Sequence, residues 1–96
     1  MIVAEYLTAW LHDSAAPLVR AGTLTYYKRV LCLARSTVGG VGLRLLSPMH
    51  VQAMLRQLEG SGVPPRGRQT TYTVLRTALR DAVKMRLLTV NPLDAV

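Results

Sequence analysis

A chain of 96 residues holds one domain of ordinary size and leaves no room for a second. Half of its residues are hydrophobic, enough for a compact core and with nothing that suggests disorder, and no apolar run approaches the roughly 20 residues that a membrane-spanning helix needs. Twelve lysines and arginines against five acids leave a net charge of +7, which favours a polyanionic partner, nucleic acid or an acidic surface.

Phe is absent, so Leu, Val, Ala and Met must fill the core. Cys32 is the lone cysteine, which rules out an intrachain disulfide and a multi-cysteine zinc site and suits a reducing compartment. The opening Met1-Ile2-Val3-Ala4-Glu5 lacks the basic-then-apolar layout of a signal peptide, so the cytoplasm is the expected location.

Val3, Tyr6, Leu7, Trp10 and Leu11 recur at spacings of three and four, predicting a first helix from about residue 2 to 12 that stops before Pro17. Thr23 is the expected N-cap of a second helix, whose apolar side is Leu24, Tyr27, Val30, Leu31, Ala34 and Val38. Gly39-Gly40 ends it, with a left-handed cap expected there. Residues 41–46 read as an ordered connection whose leucines pack inward. Ser47-Pro48 starts a third helix with Val51, Met54, Leu55 and Leu58 as its stripe, and Gly60-Ser61-Gly62 stops it.

Val63-Pro64-Pro65 leads stiffly into the longest helix, predicted over residues 66–86. On it Thr71, Leu75, Ala78, Leu79, Ala82 and Met85 share one face. Asn91-Pro92 is expected to close the fold. There is no repeat, no low-complexity tract and no strand-period alternation, so the expected fold class is all-α, a compact four-helix orthogonal bundle.

The outer face of the last helix carries the strongest functional signal. Arg66, Arg76, Arg80 and Lys84 lie along it with Gln69, Thr73 and Thr77 between them, and Asp81 sits at its edge. Cations so arrayed neutralise phosphates and release counterions, the shorter polar side chains bond phosphates or base edges, and an α-helix fits a major groove. An ordinary solvated face mixes charge signs; this one holds four cations. Arg68 lies near the helix start, where free amides also favour phosphate. Lys28 and Arg29, with Thr25 and Arg20, form a smaller patch on the second helix.

Nothing in the chain reads as catalytic. Tyr6 and Tyr27 lie on apolar stripes, Tyr26 and Tyr72 on flanks, and none has the cationic set that would activate a nucleophilic phenol. His12 and His50 are isolated, the five acids are scattered, and Gly39-Gly40-Val41-Gly42 lacks the strand and the Lys-Ser/Thr of a nucleotide loop. No cofactor or metal is expected.

The order of these signals resembles the N-terminal SAM-like, or core-binding, domain of phage-integrase-type tyrosine recombinases. The likeness runs through Val3-Ala4-Glu5-Tyr6-Leu7-Thr8-Ala9-Trp10-Leu11, Thr23-Leu24-Thr25-Tyr26-Tyr27, Val38-Gly39 and Leu46-Ser47-Pro48. It is most specific in Leu75-Arg76-Thr77-Ala78-Leu79-Arg80-Asp81-Ala82-Val83 and Leu87-Leu88-Thr89-Val90-Asn91-Pro92. The resemblance implies a domain over residues 1–92, with residues 93–96 starting a linker to the catalytic domain. It implies double-stranded DNA as partner, gripped between this domain and that catalytic domain, within a tetramer of recombinase protomers. The positions that match the family's DNA-facing helices are Lys28, Arg29, Arg66, Arg68, Gln69, Thr70, Thr73 and Arg76, and Arg80 extends the same face. The expected function is therefore non-catalytic clamping of crossover-site duplex. The rival reading is a helical interaction module whose basic face docks an acidic protein; a stand-alone helix-turn-helix regulator fits less well, because its short second helix is missing.

Overall fold

A computed structural model describes residues 1–96 as four helices around one core, without strands. Helix α1, Val3–Trp10, buries Val3, Tyr6, Leu7 and Trp10, the stripe that its spacing predicts. No side chain caps its first amides. They are satisfied across the fold instead, Val3 donating to the Val41 carbonyl at 2.8 Å and Ala4 to that of Gly39 at 3.0 Å. Glu5 accepts from the Ile2 amide at 2.8 Å, half of a capping box.

Beyond Trp10 the chain does not stop but widens into a π-turn, Leu11–Ala15, closed by the Ala16 amide on the Leu11 carbonyl at 2.9 Å. The wider turn buries both Leu11 and Ala15 before Pro17, which offers no amide, ends it.

Helix α2, Ala21–Val38, begins before the expected cap. Thr23 lies inside its first turn; the cap position is Arg20, in extended backbone and without a side-chain bond. Ala21 itself favours helix, so the helix starts ahead of Thr23. Val30, Leu31, Ala34 and Val38 are buried, whereas Leu24 and Tyr27 are only partly covered. Tyr27 stacks on Trp10, ring centroids 5.8 Å apart. The left-handed cap expected at Gly39 is absent, since Gly39 stays right-handed at φ −58°. Its smallness serves proximity: a Cβ there would lie 2.4 Å from the Arg35 carbonyl oxygen, and the Gly39 carbonyl caps α1.

A 3-10 turn, Leu43–Leu45, leads to α3, Pro48–Gly60. Leu43 and Leu46 pack inward as expected, but Leu45 points out. The Ser47 hydroxyl accepts from the His50 amide, and Nδ1 of His50 accepts from the Ser47 amide at 3.0 Å. Helix α3 buries Val51, Met54 and Leu58 and ends in a Schellman motif. Val63 donates to the Leu58 carbonyl and Gly62 to that of Glu59, with Gly62 left-handed at φ +88°.

Helix α4, Pro65–Lys84, crosses the whole domain and packs chiefly on α2. Thr71, Val74, Leu75, Ala78, Leu79 and Ala82 are buried, and the Thr71 hydroxyl is satisfied by the Gly67 carbonyl at 2.8 Å. Met85, expected on this face, is 49% exposed. The helix ends before it in a second Schellman motif, Leu87 donating to Ala82 and Arg86 to Val83. Two bonds pin α1 to α4: the Tyr6 hydroxyl donates to the Ala78 carbonyl at 2.5 Å, and the Trp10 indole to Asp81 at 2.8 Å.

The packed unit does not end at Asn91-Pro92. Pro92–Ala95 forms a 3-10 turn whose Leu93 is fully buried, so this turn packs onto the domain. Tyr72 donates to the Leu93 carbonyl at 2.6 Å, and Asn91 donates from its amide to the Arg76 carbonyl at 3.0 Å.

Burial first, and the nearby Asp81 carboxylate second, push the Tyr6 phenol well above its ordinary range near 10. Below about pH 10 it is neutral in both states; above, the unfolded chain ionises and the folded one does not, so stability falls as pH rises. Comparison of urea midpoints between pH 8 and 11 should show wild type losing more than Tyr6→Phe. At pH 8 that variant should be about 1 kcal/mol less stable through the lost hydrogen bond. Parallel pH profiles for the two would show that the phenol is not protected.

Candidate nucleic-acid interface

The polar face of α4 is continuous in space. Arg66, Gln69, Thr73, Arg76, Arg80 and Lys84 are all exposed at spacings of three and four, because the residues between them are spent on the core. From Gln69 onward this face forms one wall of a groove of about 1390 Å³. The rest of the lining comes from the Arg44–Pro48 connection and the segment from Arg86 to Ala95. Five cations line it, Arg44, Arg76, Arg80, Lys84 and Arg86, against a single acid, Asp94.

The cations are not equivalent. Arg76 is engaged, its Nε donating to Asp94 at 2.7 Å. That bond, and then the charge of Asp94, raise the Arg76 pKa, so its cation is further secured while one edge of its guanidinium is occupied. Arg80 lies 3.6 Å from Asp81, which itself accepts from Trp10. Lys84, Arg44 and Arg86 make no ion pair and no side-chain hydrogen bond within the chain. Tyr72 lines the groove, but its hydroxyl is committed to the Leu93 carbonyl.

The structure thus gathers four of the nine predicted contact residues, Gln69, Thr73, Arg76 and Arg80, into one groove and leaves the other five outside it. Arg66 is exposed on the first turn of α4. Arg68 is half-buried and donates to the Val63 carbonyl at 2.7 Å, which braces the helix start. Thr70 is turned back onto the Arg66 carbonyl at 2.9 Å. Lys28 and Arg29 are exposed on α2, where the Arg29 guanidinium sits 5.7 Å from the Tyr26 ring centroid. Sequence reasoning missed Arg44 and Arg86. A single arginine inside the apolar run Val41–Leu46 was the available signal for the first; for the second there was none.

No cluster of three or more His, Cys, Asp or Glu side chains able to hold a metal is present, and no helix is long and apolar enough to cross a membrane.

No protein-family model matches the sequence, and no curated protein matches it. Its fold does match a solved structure, a lambda integrase dimer (residues 75–356) bound to a COC′ core site. The similarity has a TM-score of 0.88 at 20% identity, over 100% of this chain and 34% of that one. The chain is therefore an all-α domain with the fold of part of an integrase, about a third of the length of the chain it resembles.

Proposed function

We propose that this chain is a DNA-binding domain of a phage-integrase-type tyrosine recombinase, the core-binding half that holds crossover-site duplex while a separate catalytic domain exchanges strands. The observation that carries this reading is the groove with five cations and one acid, borne on a fold shared with an integrase that was solved on its core site. Arg76, Arg80 and Lys84 neutralise consecutive phosphates, and Gln69 and Thr73 supply hydrogen bonds to backbone or base edges. Lys28, Arg29 and Arg66 extend the contact at the flanks. Arg68 and Thr70 act first on the chain's own backbone and contact DNA through whatever donors remain. Recognition is phosphate-driven with limited base readout. The domain is not itself catalytic, and its other partners are its own catalytic domain and neighbouring protomers.

A titration with 25–30 bp duplex tests the reading. Binding is expected at about 50 mM salt with a dissociation constant near 10⁻⁴–10⁻⁶ M, weakening steeply with added salt. No binding at protein concentrations up to about 300 micromolar rejects it and favours the acidic-protein partner, for which the leucines lining the groove are suited.

A further inference from the structure

The two Schellman motifs of this fold differ in one residue. The motif ending α3 places Gly62 in the left-handed position; the motif ending α4 places Arg86 there, at φ +62°. It is the one non-glycine residue with a positive φ. A Cβ in that conformation crowds the following carbonyl, so arginine is held at a cost that glycine would avoid.

Local bonding does not explain the choice. Arg86 is exposed and makes no ion pair or side-chain hydrogen bond. A cation near a helix C-terminus is favourable, but Lys84 already fills that role two residues earlier without strain. What the left-handed turn achieves is position. It brings Arg86 to the groove, where Arg44 arrives from a connection about forty residues earlier in the chain. Arg44 is likewise exposed and unpaired.

We infer that Arg86 and Arg44 form a second set of phosphate contacts, so that the groove engages the DNA backbone through residues outside α4 as well as through α4. The inference rests on the DNA-binding reading above. Arg86 is thus a binding residue retained against the conformational preference of its own site, and stability and affinity oppose one another there.

Arg86→Gly separates the two effects. It should raise the melting temperature by about 4 °C or more, since relief of left-handed strain in a domain this small moves the midpoint appreciably. Duplex affinity at about 100 mM salt should fall about 3–10-fold, and the slope of log K against log salt should become shallower by about 0.9. Arg86→Lys should keep the wild-type slope and melting temperature. Arg44→Ala should reproduce the loss of affinity and slope with no change in melting temperature. A more stable Arg86→Gly that binds with the wild-type slope overturns the inference while leaving the DNA-binding reading intact, and so does a fall in its melting temperature. Wild type that fails to bind duplex overturns both.

Discussion

Leu79→Ala is expected to cost about 2–5 kcal/mol and to lower the melting temperature by at least about 10 °C. Leu79 is fully buried on α4, flanked by Leu75 one turn earlier and by Ala78, whose carbonyl receives the Tyr6 hydroxyl. Removing its branched end opens a cavity in the core beneath α4. The helices cannot close it easily, because the Tyr6 and Trp10 bonds fix the separation of α1 and α4. A domain of this length buries only about 60–65% of its unfolded surface and has little stability in reserve. The loss therefore leaves a large unfolded fraction at ordinary temperatures. Met85→Ala, at a half-exposed site just past the helix end, is the control and should change stability by under about 0.5 kcal/mol. Thermal melts followed by circular dichroism decide the matter; equal midpoints for the two variants would mean that the core is assigned to the wrong face of α4.

The second large effect is on binding. Arg80→Ala combined with Lys84→Ala should weaken duplex affinity about 30–100-fold at about 100 mM salt and flatten the salt slope by about 2, with the helical signal unchanged. These two are better probes than Arg76. Arg76 holds Asp94, and its carbonyl receives Asn91, so its substitution disturbs the C-terminal turn as well as the charge. Arg56, exposed on α3 outside the groove, supplies the comparison: Arg56→Ala should bind almost as wild type. Equal losses from both variants would indicate diffuse attraction to a basic protein and no groove-specific interface.

Most of the helical architecture is legible in the sequence, because each helix buries one stripe and that stripe repeats at three and four. Tyr6, Trp10, Val30, Leu75 and Leu79 could be placed inside from spacing alone. The errors cluster at helix ends. Thr23 and Gly39 carry familiar capping identities, yet the amides that needed partners found them elsewhere, α1 drawing on the carbonyls of residues 39 and 41. Those bonds join segments more than thirty residues apart, and no local window contains them. Arg86 misled in the opposite sense, since arginine gives no sign of a left-handed turn and the pattern ran on to Met85. The candidate site divides in the same way. Its α4 side was visible as a one-sign stripe; the rest of its lining depends on where the 44–48 connection and the C-terminal segment lie in the fold. Arg68 and Thr70 were placed correctly on α4, but their bonds to the chain's own carbonyls depend on rotamers that spacing does not specify.

Short turns at the edge of a domain usually open first, with exchange-labile amides and little consequence for the rest. The Pro92–Ala95 turn does not have that freedom, because releasing it exposes Leu93 and unseats Tyr72 and Asn91 together. Opening of this turn is therefore a subglobal event that reaches the centre of the domain. The same residues form a lip of the groove, so its width cannot fluctuate independently of the core. A ligand seated there would slow amide exchange well beyond its own footprint.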